Sequence, residues 1–100
     1  MATLYVSEYD FLPLDYYGRP MPAGKLPALA EQAVTISGSS TQSSAFNKAT
    51  HWIEIHPDAT CSIAGGANPT ASAAARRIKQ DERVYIAVTP GDKIAVITNS

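Results

Sequence analysis

Cysteine occurs once in this sequence, at position 61, so no disulfide can close within the chain. A lone thiol fits a protein made in a reducing cytoplasm rather than a secreted disulfide scaffold. Charge is scarce as well. Eight basic residues stand against nine acidic ones, for a net charge of -1, and such a balance creates no general field to attract nucleic acid or an anionic membrane. No apolar run approaches the roughly 20 residues of a membrane-spanning helix. The first residues lack the charged and apolar regions of a secretory signal. The expectation is a soluble protein of cytoplasmic origin, with neither a nucleic-acid nor a membrane partner.

Catalytic signatures are missing too. Ser39, Ser40, Ser43 and Ser44 cluster, but no G-x-S-x-G elbow surrounds them, and hydroxyl clusters usually mark loops. Gly65-Gly66 is not followed by the lysine and helix of a phosphate loop. Glu54 and Asp58 have no pattern that places them in one cleft as acid and base. His51, His56 and Cys61 are the soft-metal ligands. The two histidines have opposite strand parity, and zinc needs three or four convergent groups. Cys61 beside His56 suggests a nucleophile and base, but its inward parity makes it a small core residue instead. No enzyme, metal or cofactor is expected.

What is present is β-branched. Isoleucine and valine outnumber leucine 13 to 5, and 16 alanines make up much of the 45% hydrophobic content. The first preference suits strands. A length of 100 residues favours one domain spanning 1–100. Alternation predicts strands over 3–9, 30–37, 50–55, 60–64, 84–88 and 93–98. The inward side chains are Leu4, Val6, Val34, Ile36, Ile53, Ile55, Cys61, Ile63, Val84, Ile86, Val88, Ile94 and Val96. The centre of the pattern is 42–66: a hydroxyl-rich entry, a strand, a turn at His56-Pro57-Asp58, and a second strand that closes on Gly65-Gly66. These two strands read as a half-buried pair, with His51, Ile53 and Ile55 on one face and Trp52 and Glu54 on the other.

Residues 65–70 read as a loop, and 71–80 as a loop with one helical turn, because a single apolar residue, Ile78, anchors its helical propensity. Thr89-Pro90-Gly91-Asp92 carries a type II turn signature. The fold class is all-β: a small antiparallel β-sandwich or barrel, jelly-roll-like, with an extended proline-rich N-terminal arm.

That arm, 11–29, holds Pro13, Pro20, Pro22 and Pro27, which exclude a helix or a central strand. Yet Leu12, Leu14, Tyr16, Tyr17 and Met21 make it more apolar than a disordered linker. An apolar arm beside a thin core implies that association completes the structure, as in a homo-oligomer. Outward-facing Trp52 is a candidate interface anchor, and equally a cover for the core or a seat for the arm. Arg76, Arg77, Lys79 and Arg83 form the one basic cluster. It serves as a solvated loop or as a contact for an acidic protein surface.

Residues 42–97 resemble a group of small proteins encoded among the head genes of tailed bacteriophages. The motifs are Q-S-S-A-F-N at 42–47, I-H-P-D-A at 55–59, C-S-I-A at 61–64 and N-P-T-A at 68–71. An arginine in the next loop (Arg76 or Arg77), V-Y-I-A-V at 84–88 and P-G-D-K-I-A-V-I at 90–97 follow. The arm and the Arg76-Arg77 loop fit that pattern least. The group is similar in kind to capsid decoration, or cement, proteins. The resemblance implies a noncatalytic virion component on the capsid exterior, synthesised in the bacterial cytoplasm, whose partner is the major capsid protein. The expected interface residues are Leu12, Leu14, Tyr16, Tyr17, Met21, Trp52, Arg76 and Arg77. The rival reading is a head fibre or host-surface, glycan-binding module. That module would gather Trp52, Tyr5, Tyr9, Tyr16, Tyr17 and Tyr85 on one face.

Overall fold

The computed structural model describes residues 2–10, 17–19 and 28–99. Most of the proline-rich arm (11–16 and 20–27) lies outside them, and with it Leu12, Leu14, Tyr16 and Met21. Among the described residues there are eight strands and no helix: β1 (Ala2–Tyr9), β2 (Ala30–Ile36), β3 (Thr41–Gln42), β4 (Trp52–Pro57), β5 (Cys61–Gly66), β6 (Arg76–Ile78), β7 (Val84–Ala87) and β8 (Lys93–Thr98). They form two antiparallel four-stranded sheets, in the orders β2-β1-β4-β7 and β3-β8-β5-β6. The architecture is therefore a sandwich and not a barrel. Followed from β2, the neighbour order is that of a jelly roll in which β1 takes the place of the last strand.

Alternation explains which faces meet. Leu4 lies between Val34 and Pro57, and Val6 between Gln32 and Ile55. In the second sheet Ile63 lies opposite Val96, and Cys61 opposite Ile78. These side chains, with Ile36, Ile53 and Ile94, fill one core between the sheets. Phe46 and Ile78 belong to it as well, although neither was on the inward list. Val84, Ile86 and Val88 are only half-buried, because β7 is an edge strand with one neighbour.

The central stretch departs from expectation in a way that matters. β4 and β5 are not a pair: they belong to opposite sheets, and the turn at Asp58-Ala59 carries the chain across. β4 also runs on through Pro57, which was expected in the turn. The ladder with β7 ends at Ile55 and Val84, so the donor that proline lacks is missed by no strand. On that side the Pro57 carbonyl accepts the Asp81 N–H at 2.9 Å. His51 lies before the strand and is exposed, so it does not share the inward face of Ile53 and Ile55.

Gly65 and Gly66 extend β5 opposite Ile94 and Lys93 instead of opening a loop, and only Gly66 has positive φ (147°). The expected helical turn in 71–80 is a plain turn, with the Ala75 N–H on the Ser72 carbonyl at 3.0 Å, followed by β6. Pairing with β5 and burial of Ile78 override the local alanine propensity. The Thr89–Asp92 turn does have Gly91 at φ 85° and the Asp92 N–H on the Thr89 carbonyl (3.1 Å). It joins β7 to β8 across the two sheets rather than within a hairpin.

Candidate interaction face

The outer face of the β2-β1-β4-β7 sheet gathers four aromatic side chains from three strands. Odd positions of β1 and even positions of β4 point outward, which sets Tyr9 directly opposite Trp52 and Tyr5 opposite His56. The Tyr9 and Trp52 rings stack, with centroids 4.5 Å apart and planes at 23°. Tyr85, from β7, tilts against Trp52 at 6.0 Å. Tyr9 is buried and Trp52 half-buried, whereas Tyr5 is 51% and Tyr85 56% exposed. The Trp52 indole Nε1 is buried and has no acceptor among the described residues. An ion pair and a histidine–carboxylate contact flank the rings: Arg83 Nε lies 3.9 Å from Glu54 Oε1, and His56 Nε2 lies 3.6 Å from Asp81 Oδ1. The result is a face with two exposed tyrosines, on β1 and β7, the polar side chains of Glu54 and His56 between them on β4, and the stacked pair at one end.

Directly behind this face lies a feature the sequence reading overlooked. Glu8 shares the inward parity of Leu4 and Val6 and is buried. Its Oε1 accepts the Asn47 N–H and the Thr50 hydroxyl, each at 2.8 Å, and its Oε2 accepts Gln32 Nε2 at 2.8 Å. Gln32 in turn receives the Ser44 N–H on Oε1 (2.9 Å) and donates from Nε2 to the Ser44 carbonyl (3.2 Å). The other side of the same loop is tied to the opposite sheet. The Ser43 N–H meets the Ile94 carbonyl at 2.7 Å, the Ile94 N–H meets Ser43 Oγ at 3.0 Å, and the Phe46 N–H meets the Asp92 carbonyl at 2.8 Å. The hydroxyl-rich run is thus a strap between the sheets, held on one side by a carboxylate. A charged residue in step with Leu4 and Val6 was the available signal.

The expected site residues are dispersed. Trp52 belongs to the face above. Arg76 and Arg77 are exposed on β6, at the edge of the other sheet, opposite Ile63 and Ser62 and so on opposite faces of it. Tyr17 is exposed, with the Arg19 guanidinium 5.3 Å from its ring centroid. Leu12, Leu14, Tyr16 and Met21 lie outside the described residues. His51 is exposed ahead of β4, His56 is on the outer face, and Cys61 is sealed in the core, where burial pushes its thiol up to about 11. Comparison with family models, with curated proteins and with solved structures returns no match to this chain.

Proposed function

We propose that this chain is a noncatalytic structural protein of a tailed-phage virion, a decoration protein that sits on the capsid exterior and braces neighbouring major capsid subunits. The observation that carries the reading is the outer face of the first sheet. Tyr5 projects from β1 and Tyr85 from β7, the two strands that flank β4 in one sheet, and the Tyr9–Trp52 stack lies at one end of the same face. Large, stiff aromatic side chains on a preorganised surface are what protein interfaces use as anchors. The motifs between residues 42 and 97 supply the class of partner. The strap and core supply rigidity, so little ordering entropy opposes docking. The arm contributes further apolar area, and copies associate through it or through this face.

Cosedimentation with capsid shells assembled from the major capsid protein alone tests this. The parent chain pellets with the shells, and Tyr5→Ser with Tyr85→Ser removes it from the pellet without changing its melting temperature. Failure of the parent chain to pellet, or full retention of the double variant, rejects the reading. The same face supports a second reading, a glycan-binding head fibre module, because sugars stack on aromatic planes and the Glu54 carboxylate beside Tyr85 can accept their hydroxyls. A glycan array separates the two: binding to a defined saccharide, lost in the double variant, favours the fibre module.

A further inference from the structure

We propose that the cleft at the β6–β7 edge of the sandwich binds a small anionic amphiphile, a carboxylate on a short alkyl or aryl body, with the body between the sheets and the carboxylate on Arg76. Three observations converge on this site, and none depends on the particle-binding reading.

The first is the space. A cleft of about 560 Å³ opens between the sheets on this side, with half-buried Ile86 and Val88 on one wall and the nearly buried Ile63 and Ile94 beneath. That is the size and lining of a small-ligand site. β7 and β6 are edge strands of their sheets, and among the described residues no further strand closes the space beside them.

The second is Gly65. It lies opposite Ile94, whose side chain is in the core, so a side chain at 65 would enter the cleft. Its backbone is not in the left-handed region. An added Cβ would meet only the Lys93 carbonyl oxygen, at an ordinary 3.8 Å. Neither conformation nor crowding requires glycine here. What glycine does is keep the cleft open.

The third is charge. Arg76 is opposite Ile63, on the inner face of β6, and lines the cleft. Among the described residues no carboxylate lies within ion-pair distance of it. Asp92 and Lys93 also line the mouth, so the three groups together leave one net positive charge there. A guanidinium at the rim of an apolar slot selects a planar anion, which it can hold through two parallel hydrogen bonds.

The test is an amide NMR titration of the full chain with octanoate and, as a headgroup control, 1-octanol. Octanoate is expected to saturate and to move amides of 63–66, 86–88 and 94. Arg76→Gln should weaken octanoate about tenfold while leaving 1-octanol unchanged. Gly65→Leu should abolish both, and Gly65→Ala, whose methyl makes only ordinary contact, should weaken both with an unchanged unfolding midpoint. The proposal is overturned if octanoate fails to saturate, if its shifts fall elsewhere, or if octanoate and octanol bind alike. It also fails if Gly65→Ala and Arg76→Gln bind as the parent does. Binding of an extended apolar peptide along β7, without octanoate binding, would identify the cleft as a strand-docking groove and likewise overturn it.

Discussion

Replacing Glu8 probes the join between the two sheets. Its carboxylate is 1% exposed and accepts three hydrogen bonds, from Asn47, Thr50 and Gln32. Bonds to a charged acceptor contribute roughly 1.5–3 kcal/mol each, but these three share one group whose own desolvation opposes them. Glu8→Ala therefore should cost about 4 kcal/mol, by leaving three donors without an acceptor beneath the strap. For a chain of this length that is a fall of about 15–30 °C in melting temperature. Glu8→Gln separates charge from shape. Its oxygen still serves Asn47 and Thr50, but its amide faces the Gln32 amide, donor against donor. Gln32 cannot simply flip, because Ser44 fixes both of its ends. That variant should lose about 1–2 kcal/mol. Adding Gln32→Glu restores an acceptor for the new amide and should recover about 1 kcal/mol in a double-mutant cycle. Urea unfolding followed by tryptophan fluorescence reads all five proteins, the Gln32→Glu single variant included, since Trp52 stacks on Tyr9, the next residue in the chain. A loss below about 1 kcal/mol for Glu8→Ala would refute the claim that this carboxylate holds the strap.

The remaining expectations are simpler to read. Burial raises the Cys61 thiol from 9.0 to about 11, so its contribution to stability is complete below about pH 9 and is lost as pH rises towards 11. Urea midpoints of the parent should therefore fall more steeply over that window than those of Cys61→Ala; parallel profiles would contradict it. A thiol reagent at pH 8 should label native Cys61 only as fast as the protein opens, and immediate stoichiometric labelling would count against its burial. Ile53→Ala, at a position with no exposure, should cost about 2–5 kcal/mol in the same urea assay, and a near-neutral result would mean the core is misassigned. Changing Leu12, Leu14, Tyr16 and Tyr17 together to serine should abolish shell binding or self-association and leave the strand-type circular dichroism intact. Loss of the strand signal would mean that the arm completes its own domain.

Most of the core was legible because alternation is a local property. Leu4 and Val6, Ile53 and Ile55, Ile94 and Val96 each declare a face within two residues of themselves. The same parity placed Trp52 outward, where the structure has it. Pairing is not local. A short turn such as Asp58-Ala59 serves a hairpin and a crossing between sheets equally well, so β4 and β5 looked like neighbours. Ile78 was visible as an anchor, but the alanines before it favour helix, and only the exposed side of β5 makes β6 a strand. Glu8 was missed for the opposite reason. Its position announces burial and its chemistry denies it, and the donors that reconcile the two come from residues 32, 47 and 50. The exposed aromatic face was partly readable, since Tyr5, Tyr9, Trp52 and Tyr85 were all named. That they share one sheet depends on the order β1-β4-β7, which no single segment encodes.

The position of β8 has a consequence for synthesis. This strand is not at an edge: it lies between β3 and β5 and, among the described residues, is the only partner of β3. While residues 93–98 remain within the ribosome, β3 has nothing to pair with and β5 can bind only the three residues of β6. The inner face of the first sheet then has only the β5–β6 pair to cover it. The nascent chain therefore holds Leu4, Val6, Ile53 and Ile55 in readiness until β8 has emerged, and then closes in one long-range step. During that interval the unpaired sides of β5 are open to any other strand, including those of a second copy emerging nearby.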